Sequence, residues 1–67
     1  MVPEIDIWRC ARLLIKRYGA DAKSEAERRA EDLLAEGETR GHATFLRIAR
    51  AVEELQRERP AKGQPLH

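Results

Sequence analysis

Two glycines, Gly19 and Gly37, cut the chain into three stretches, and each stretch repeats its apolar residues at the helical interval. That punctuation decides the fold class: all-α, a single bundle-like domain of three helices over residues 1–59, joined by short glycine-terminated connections and followed by a C-terminal tail at 60–67. Connections this short turn successive helices toward antiparallel packing.

The first helix is expected over about 3–18. Pro3 suits a first turn, where a missing N–H costs nothing. Glu4 and Asp6 sit at the positive end of the helix dipole, and Arg12, Lys16 and Arg17 toward its negative end. Gly19 is placed to end the helix in a left-handed conformation, with Ala20 beyond it set to touch Ile15. The apolar stripe is Ile7, Trp8, Ala11, Leu14, Ile15 and Tyr18. The second helix is expected over about 22–36, capped by Asp21, with the stripe Ala22, Ala26, Ala30, Leu33 and Leu34. Its three alanines at four-residue spacing leave little bulk and permit a close helix approach, Ala26 and Ala30 toward the Trp8–Ile15 side of the first helix. The outer face should pair Lys23 with Glu27, Glu25 with Arg29 and Arg28 with Asp32, each worth about 0.2–0.5 kcal/mol. The third helix is expected over about 39–58, with Thr39 a better cap than Glu38 and Pro60 as its stop. Gly41 weakens its first turn by about 1 kcal/mol relative to alanine, which a close approach would explain. Its stripe is Phe45, Ile48, Ala49, Val52 and Leu55.

A chain of 67 residues has a thin core and needs an aid to stability. One cysteine, Cys10, cannot close an internal disulfide. Cys10, His42 and His67 have no metal-ligand spacing, so no metal and no cofactor are expected. Self-association remains as an aid, with a well-packed monomer as the alternative, and some apolar residues fit no single stripe. Leu13 lies about 100° around the axis from Leu14, Leu46 is similarly displaced from Phe45, and Cys10 widens the first stripe. Trp8, Cys10, Leu13 and Leu46 are therefore the candidate interface, with Leu13 and Leu46 meeting their symmetry mates in a two-fold dimer. Lone surface leucines are also ordinary. Trp8 is by type more often a core residue, and Cys10 on a broad apolar face reads as a small buried hydrophobe, slow toward thiol reagents.

Chemistry is sparse. Ser24 is the only serine and sits early in the second helix, where hydroxyls bond to backbone. Nothing brings Cys10 and His42 together as nucleophile and base, and the single glycines make no phosphate loop. No catalytic residue is expected, and the chain is not read as an enzyme. The second helix, Gly37 and the third helix could form a helix-turn-helix, with Arg40, Arg47, Arg50 and Arg57 recurring along one side. Glu54 and Glu58 lie in that same strip, and net charge is only +1. That balance argues against nucleic acid, whose binders carry a basic excess. The basic outer face of the first helix (Arg9, Arg12, Lys16) offers contacts to phosphate or acidic lipid, but such runs are usually solvated faces. No run approaches the ~20 apolar residues of a membrane span, and no signal peptide is visible, so a cytoplasmic protein is expected.

The run Asp6-Ile7-Trp8-Arg9, Ala11, Leu13-Leu14-Ile15 and Tyr18-Gly19-Ala20-Asp21-Ala22, continued by Ala26, Arg29-Ala30-Glu31, Leu33-Leu34, Gly37-Glu38, Gly41, Phe45-Leu46-Arg47-Ile48 and Arg50-Ala51-Val52-Glu53-Glu54-Leu55, resembles a family of small uncharacterised all-helical proteins from alphaproteobacteria. The resemblance spans about Glu4 to Leu55. That family typically has Asp at position 38 and Trp at position 45, so Glu38 and Phe45 depart from it. It implies a short helical protein with no assigned activity and supplies no catalytic or ligand residues. The functional expectation is a non-catalytic protein–protein interaction or self-assembly module, its partner a second copy or a client protein. The alternative is a small DNA-binding regulator.

Overall fold

The computed structural model of the chain describes residues 2–58. They form an all-α domain: α1 (Glu4–Tyr18), a 3-10 turn (Gly19–Asp21), α2 (Ala22–Ala35) and α3 (Thr39–Glu58). The expected stop at Pro60 and the tail at 60–67 lie outside the described residues. The 3-10 turn passes directly into α2, so α1 and α2 can be counted as one sharply bent helical stretch packed with α3.

The ends of the helices follow from backbone chemistry more than from side-chain caps. Pro3 sits just outside α1 in an extended conformation, and its carbonyl accepts the Asp6 and Ile7 N–H groups at 3.0 and 3.2 Å. Gly19 takes φ 57°, and its N–H donates to the Ile15 carbonyl. Asp21 makes no side-chain cap. A capping carboxylate needs an extended residue, and at φ −90°, ψ 4° Asp21 belongs to the 3-10 turn. At the other end of α2, Gly37 (φ 83°) donates to Leu34 and Glu38 donates to Leu33, at 3.0 and 2.8 Å. This is a Schellman arrangement, which satisfies carbonyls left open by the last turn. It also corrects the expected cap of α3. Glu38 closes α2 and accepts the His42 N–H at 3.0 Å, so it occupies the cap position, and Thr39 is already the first helical residue.

One cluster of buried residues joins the three helices: Ile7, Ala11 and Leu14 from α1, Ala22 and Ala26 from α2, and Ile48, Ala49, Ala51 and Val52 from α3. Alanines dominate it, so the helices meet along narrow arcs and large side chains end up at the rim. Ile15, Tyr18, Phe45 and Leu55, expected in the core, are half-buried against it, as are Val2 and Trp8. Ala51, which no stripe included, is buried because α3 is covered by both other helices and so hides a wider arc. Ala30 is fully buried but outside the cluster shared with α1. Its carbonyl accepts a hydrogen bond from His42 Nδ1 at 2.9 Å, which places it on the seam with α3 rather than on α1. Two further bonds fix α3: Arg47 donates to the Val2 carbonyl at 3.1 Å, and Gln56 to the Gly19 carbonyl at 3.0 Å. The start of α1 therefore lies beside the middle of α3 and its end beside the last turns of α3, so the two run in the same general sense.

Leu34 corrects the expected core most plainly, being 50% exposed. Leu33 takes the inward position instead. A Cβ built on Gly41 would lie 3.0 Å from Leu33 Cδ1, so the side chain of Leu33 rests on the glycine. Gly41→Ala should nevertheless stabilise the domain, by somewhat less than the ~1 kcal/mol of helix propensity. The opposing atom is the end of a flexible, half-buried side chain that can shift by a few tenths of an ångström. A lower midpoint of thermal unfolding for that variant would show that Leu33 has no room to move.

Candidate interaction surface

The four residues singled out as an interface fall in three separate places. Cys10 and Leu13 line an open groove with Leu14, Arg17, Arg29 and Phe45, where α1 approaches the other helices. Trp8 lies on the other flank of α1, half-buried in a groove with Ile7, Arg47 and Ala51. Leu46 lies between α2 and α3, beside Lys23, Glu27, Ala49 and Glu53. Leu13 and Leu46 thus do not form one patch, and a two-fold contact built from both is not supported by their placement. Cys10 is exposed, not the buried hydrophobe expected of it. The narrow approach of α1 at Ala11 leaves the flank carrying Cys10 open to solvent.

Exposed apolar side chains are larger in number than the stripes suggested. Ile5 and Leu13 are 60% and 61% exposed, and Leu34 and Leu46 are 50% and 46% exposed. Ile5 was missed, although it lies about 160° around α1 from the buried Ile7. Leu34 is two turns beyond Glu27 on α2, so it shares with Leu46 the outer side of the α2–α3 pair.

The charges are distributed unevenly. Among the described residues every ion pair lies on α2 or α3: Lys23–Glu27 at 3.4 Å, Arg28–Asp32 at 3.3 Å, Arg28–Glu25 at 2.8 Å, Arg29–Glu25 at 2.9 Å and Arg57–Glu54 at 2.8 Å. The three expected pairs are all present. Arg29 and then Arg28 donate to Glu25, and these bonds hold its carboxyl below its ordinary 4.5. Arg29 also donates to the Tyr18 hydroxyl at 3.2 Å, which ties α2 back to the end of α1. The four cations of α1, Arg9, Arg12, Lys16 and Arg17, make no ion pair among the described residues. Ile5, Arg9, Arg12, Leu13 and Lys16 form one exposed outward stripe, with the half-buried Asp6 at its edge.

Among the described residues no group of three or more His, Cys, Asp or Glu is arranged to hold a metal ion. No helix among them is long and apolar enough to cross a membrane. Comparison with family models, with curated proteins and with solved structures finds no match to this chain.

Proposed function

We propose that the chain is a non-catalytic helical module that binds protein, either a second copy of itself or a separate client, in the cytoplasm. The observation that carries this reading is the exposure of four large aliphatic side chains, Ile5, Leu13, Leu34 and Leu46, on a domain whose buried cluster is built mainly of alanine. So small a core leaves stability to be gained by covering such side chains. The single, exposed Cys10 fits a reducing compartment, and the resemblance to the alphaproteobacterial helical family adds no competing activity.

Sedimentation of the protein over a dilution series tests the reading. Association should appear as concentration rises, and Leu13→Glu should weaken it by about 10-fold or more, since a charge placed in an apolar contact is left unpaired. Helix content should not change, because Leu13 is mostly exposed. A protein that remains monomeric, ignores Leu13→Glu and captures no partner through this face would remove the reading.

The DNA-binding alternative has less support. Two of the four arginines that would make α3 a recognition helix are already engaged, Arg57 with Glu54 and Arg47 with the Val2 carbonyl. Retention on duplex DNA at physiological salt would revive it.

A further inference from the structure

We infer that the outward stripe of α1 docks on an acidic lipid surface, with Ile5 and Leu13 entering the headgroup layer and Arg9, Arg12 and Lys16 meeting the lipid phosphates. A charged helix face that is merely solvated mixes its signs and pairs them, as α2 does with Lys23–Glu27 and Arg29–Glu25. The face of α1 differs. Arg9, Arg12 and Lys16 are exposed and make no ion pair among the described residues. Two aliphatic side chains stand among them, Ile5 at 60% and Leu13 at 61% exposure. All five lie within an arc of about 100°, centred opposite the Ile7, Ala11 and Leu14 side that α1 buries. Both other helices therefore lie behind the stripe. The half-buried Asp6 borders the arc on the Leu13 side, as does the exposed Arg17, and Glu4 lies on the Trp8 flank.

The mixture of side chains selects the partner. A bilayer that carries acidic lipid is negative over its whole surface and apolar just beneath, so it takes both kinds of side chain at once and needs no matched pattern of charges. Long cations reach sideways to phosphates while the aliphatic groups sink between them. A nucleic acid would satisfy the cations but leave Ile5 and Leu13 against sugar and phosphate. The strength is bounded by the fold. The main apolar arc of α1 is committed to the core, so only two side chains enter, each raising partition about 10-fold. Each cation adds about 5-fold on an acidic surface, or about 100-fold for the three. A neutral bilayer therefore holds the protein poorly, and an acidic one holds it reversibly. No helix among the described residues is long and apolar enough to cross the bilayer, so the contact is peripheral. Leu34 and Leu46 lie on other helices and stay free for a protein, whereas lipid and a second copy compete for Leu13.

Co-sedimentation of the whole chain with vesicles tests this, at a protein concentration low enough to limit self-association. Vesicles of phosphatidylglycerol and phosphatidylcholine in equal parts should bind the chain at least about 10-fold more tightly than phosphatidylcholine alone, and high salt should release it. Arg9→Gln with Arg12→Gln should lower partition onto the acidic vesicles by about 10-fold or more. Ile5→Ala with Leu13→Ala should lower it by about 10-fold at unchanged charge. Arg40→Gln with Arg50→Gln removes the same charge from α3 and should leave partition close to that of the wild type. Neither of those arginines makes an ion pair among the described residues, and all the substituted positions are exposed, so the fold should tolerate the changes, with helix content as the check. The docking is overturned if acidic and neutral vesicles hold the chain equally, or if the α3 pair matters as much as the α1 pair. Failure on acidic vesicles, with retention on duplex DNA that is lost in Arg9→Gln with Arg12→Gln, would overturn it and give the stripe to a polyanion. Acidic binding untouched by the double alanine variant would overturn the entry of Ile5 and Leu13, on which the choice of lipid rests. Self-association is read without lipid, so none of these outcomes decides it.

Discussion

Replacing Ile48 by alanine should leave much of the protein unfolded at 25 °C. Ile48 is 2% exposed and, with Val52, is one of the two largest fully buried side chains among the described residues. Removing it costs the transfer of the lost methylenes and the cavity they leave, together about 2–5 kcal/mol. The neighbours cannot refill that space cheaply. Five of the eight other cluster members, Ala11, Ala22, Ala26, Ala49 and Ala51, are alanines with no longer side chain to swing inward, which leaves only Ile7, Leu14, Val52 and the rim residues to adjust. A domain of this size rarely holds more than about 3–5 kcal/mol in total, so the single change consumes most of it. Urea unfolding followed by circular dichroism, at a concentration low enough to limit association, measures the loss. Leu13→Ala is the control. At 61% exposure it should shift stability by no more than about 0.5 kcal/mol. A loss below about 1 kcal/mol for Ile48→Ala would mean that the helices can close over the gap.

The contrast between those two residues shows what the sequence carried and what it lacked. Glycine conformation is a local matter, so Gly19 and Gly37 marked the helix ends correctly and both take positive φ, although Gly19, at ψ −124°, opens the 3-10 turn instead of forming the left-handed helical cap expected of it. Leu13 and Leu46 stood outside their stripes, and both are exposed. Their placement was not legible. Helical spacing states which residues share a face, but not which faces of different helices adjoin, and that depends on how α1 and α2 divide the surface of α3. The adjacent leucines at 33 and 34 pose the same problem on a smaller scale. Each is about 100° from the other, and it is the packing of Leu33 on Gly41 of α3 that distinguishes the inward Leu33 from the exposed Leu34. Cys10 was misjudged for a related reason. A broad apolar arc on α1 suggested broad burial, whereas helices brought close by alanine bury a narrow arc and leave its edges open. The outward stripe of α1 was partly visible in its charges, but its lack of ion pairs could be seen only beside the paired charges of α2.

That close approach makes Ala26 the other position where a single substitution should act strongly. Ala26 has no exposed surface and lies in the cluster shared by all three helices. In Ala26→Leu, three added carbons enter a position with no exposed surface, and in a well-packed core they must push α1 or α3 aside. Overpacking of this kind costs about 1–3 kcal/mol, even though leucine is nearly as good a helix former as alanine. Ala35→Leu isolates the packing contribution. Ala35 is on the same helix and exposed, so the added carbons meet only solvent, and stability should change by no more than about 0.5 kcal/mol. Thermal unfolding of the two variants side by side decides the matter. If Ala26→Leu melts together with Ala35→Leu, the buried alanines serve helix propensity alone. If it melts well below, alanine at 26 is what lets α2 settle against its neighbours, and the exposed leucines are the bulk that this narrow core could not take in.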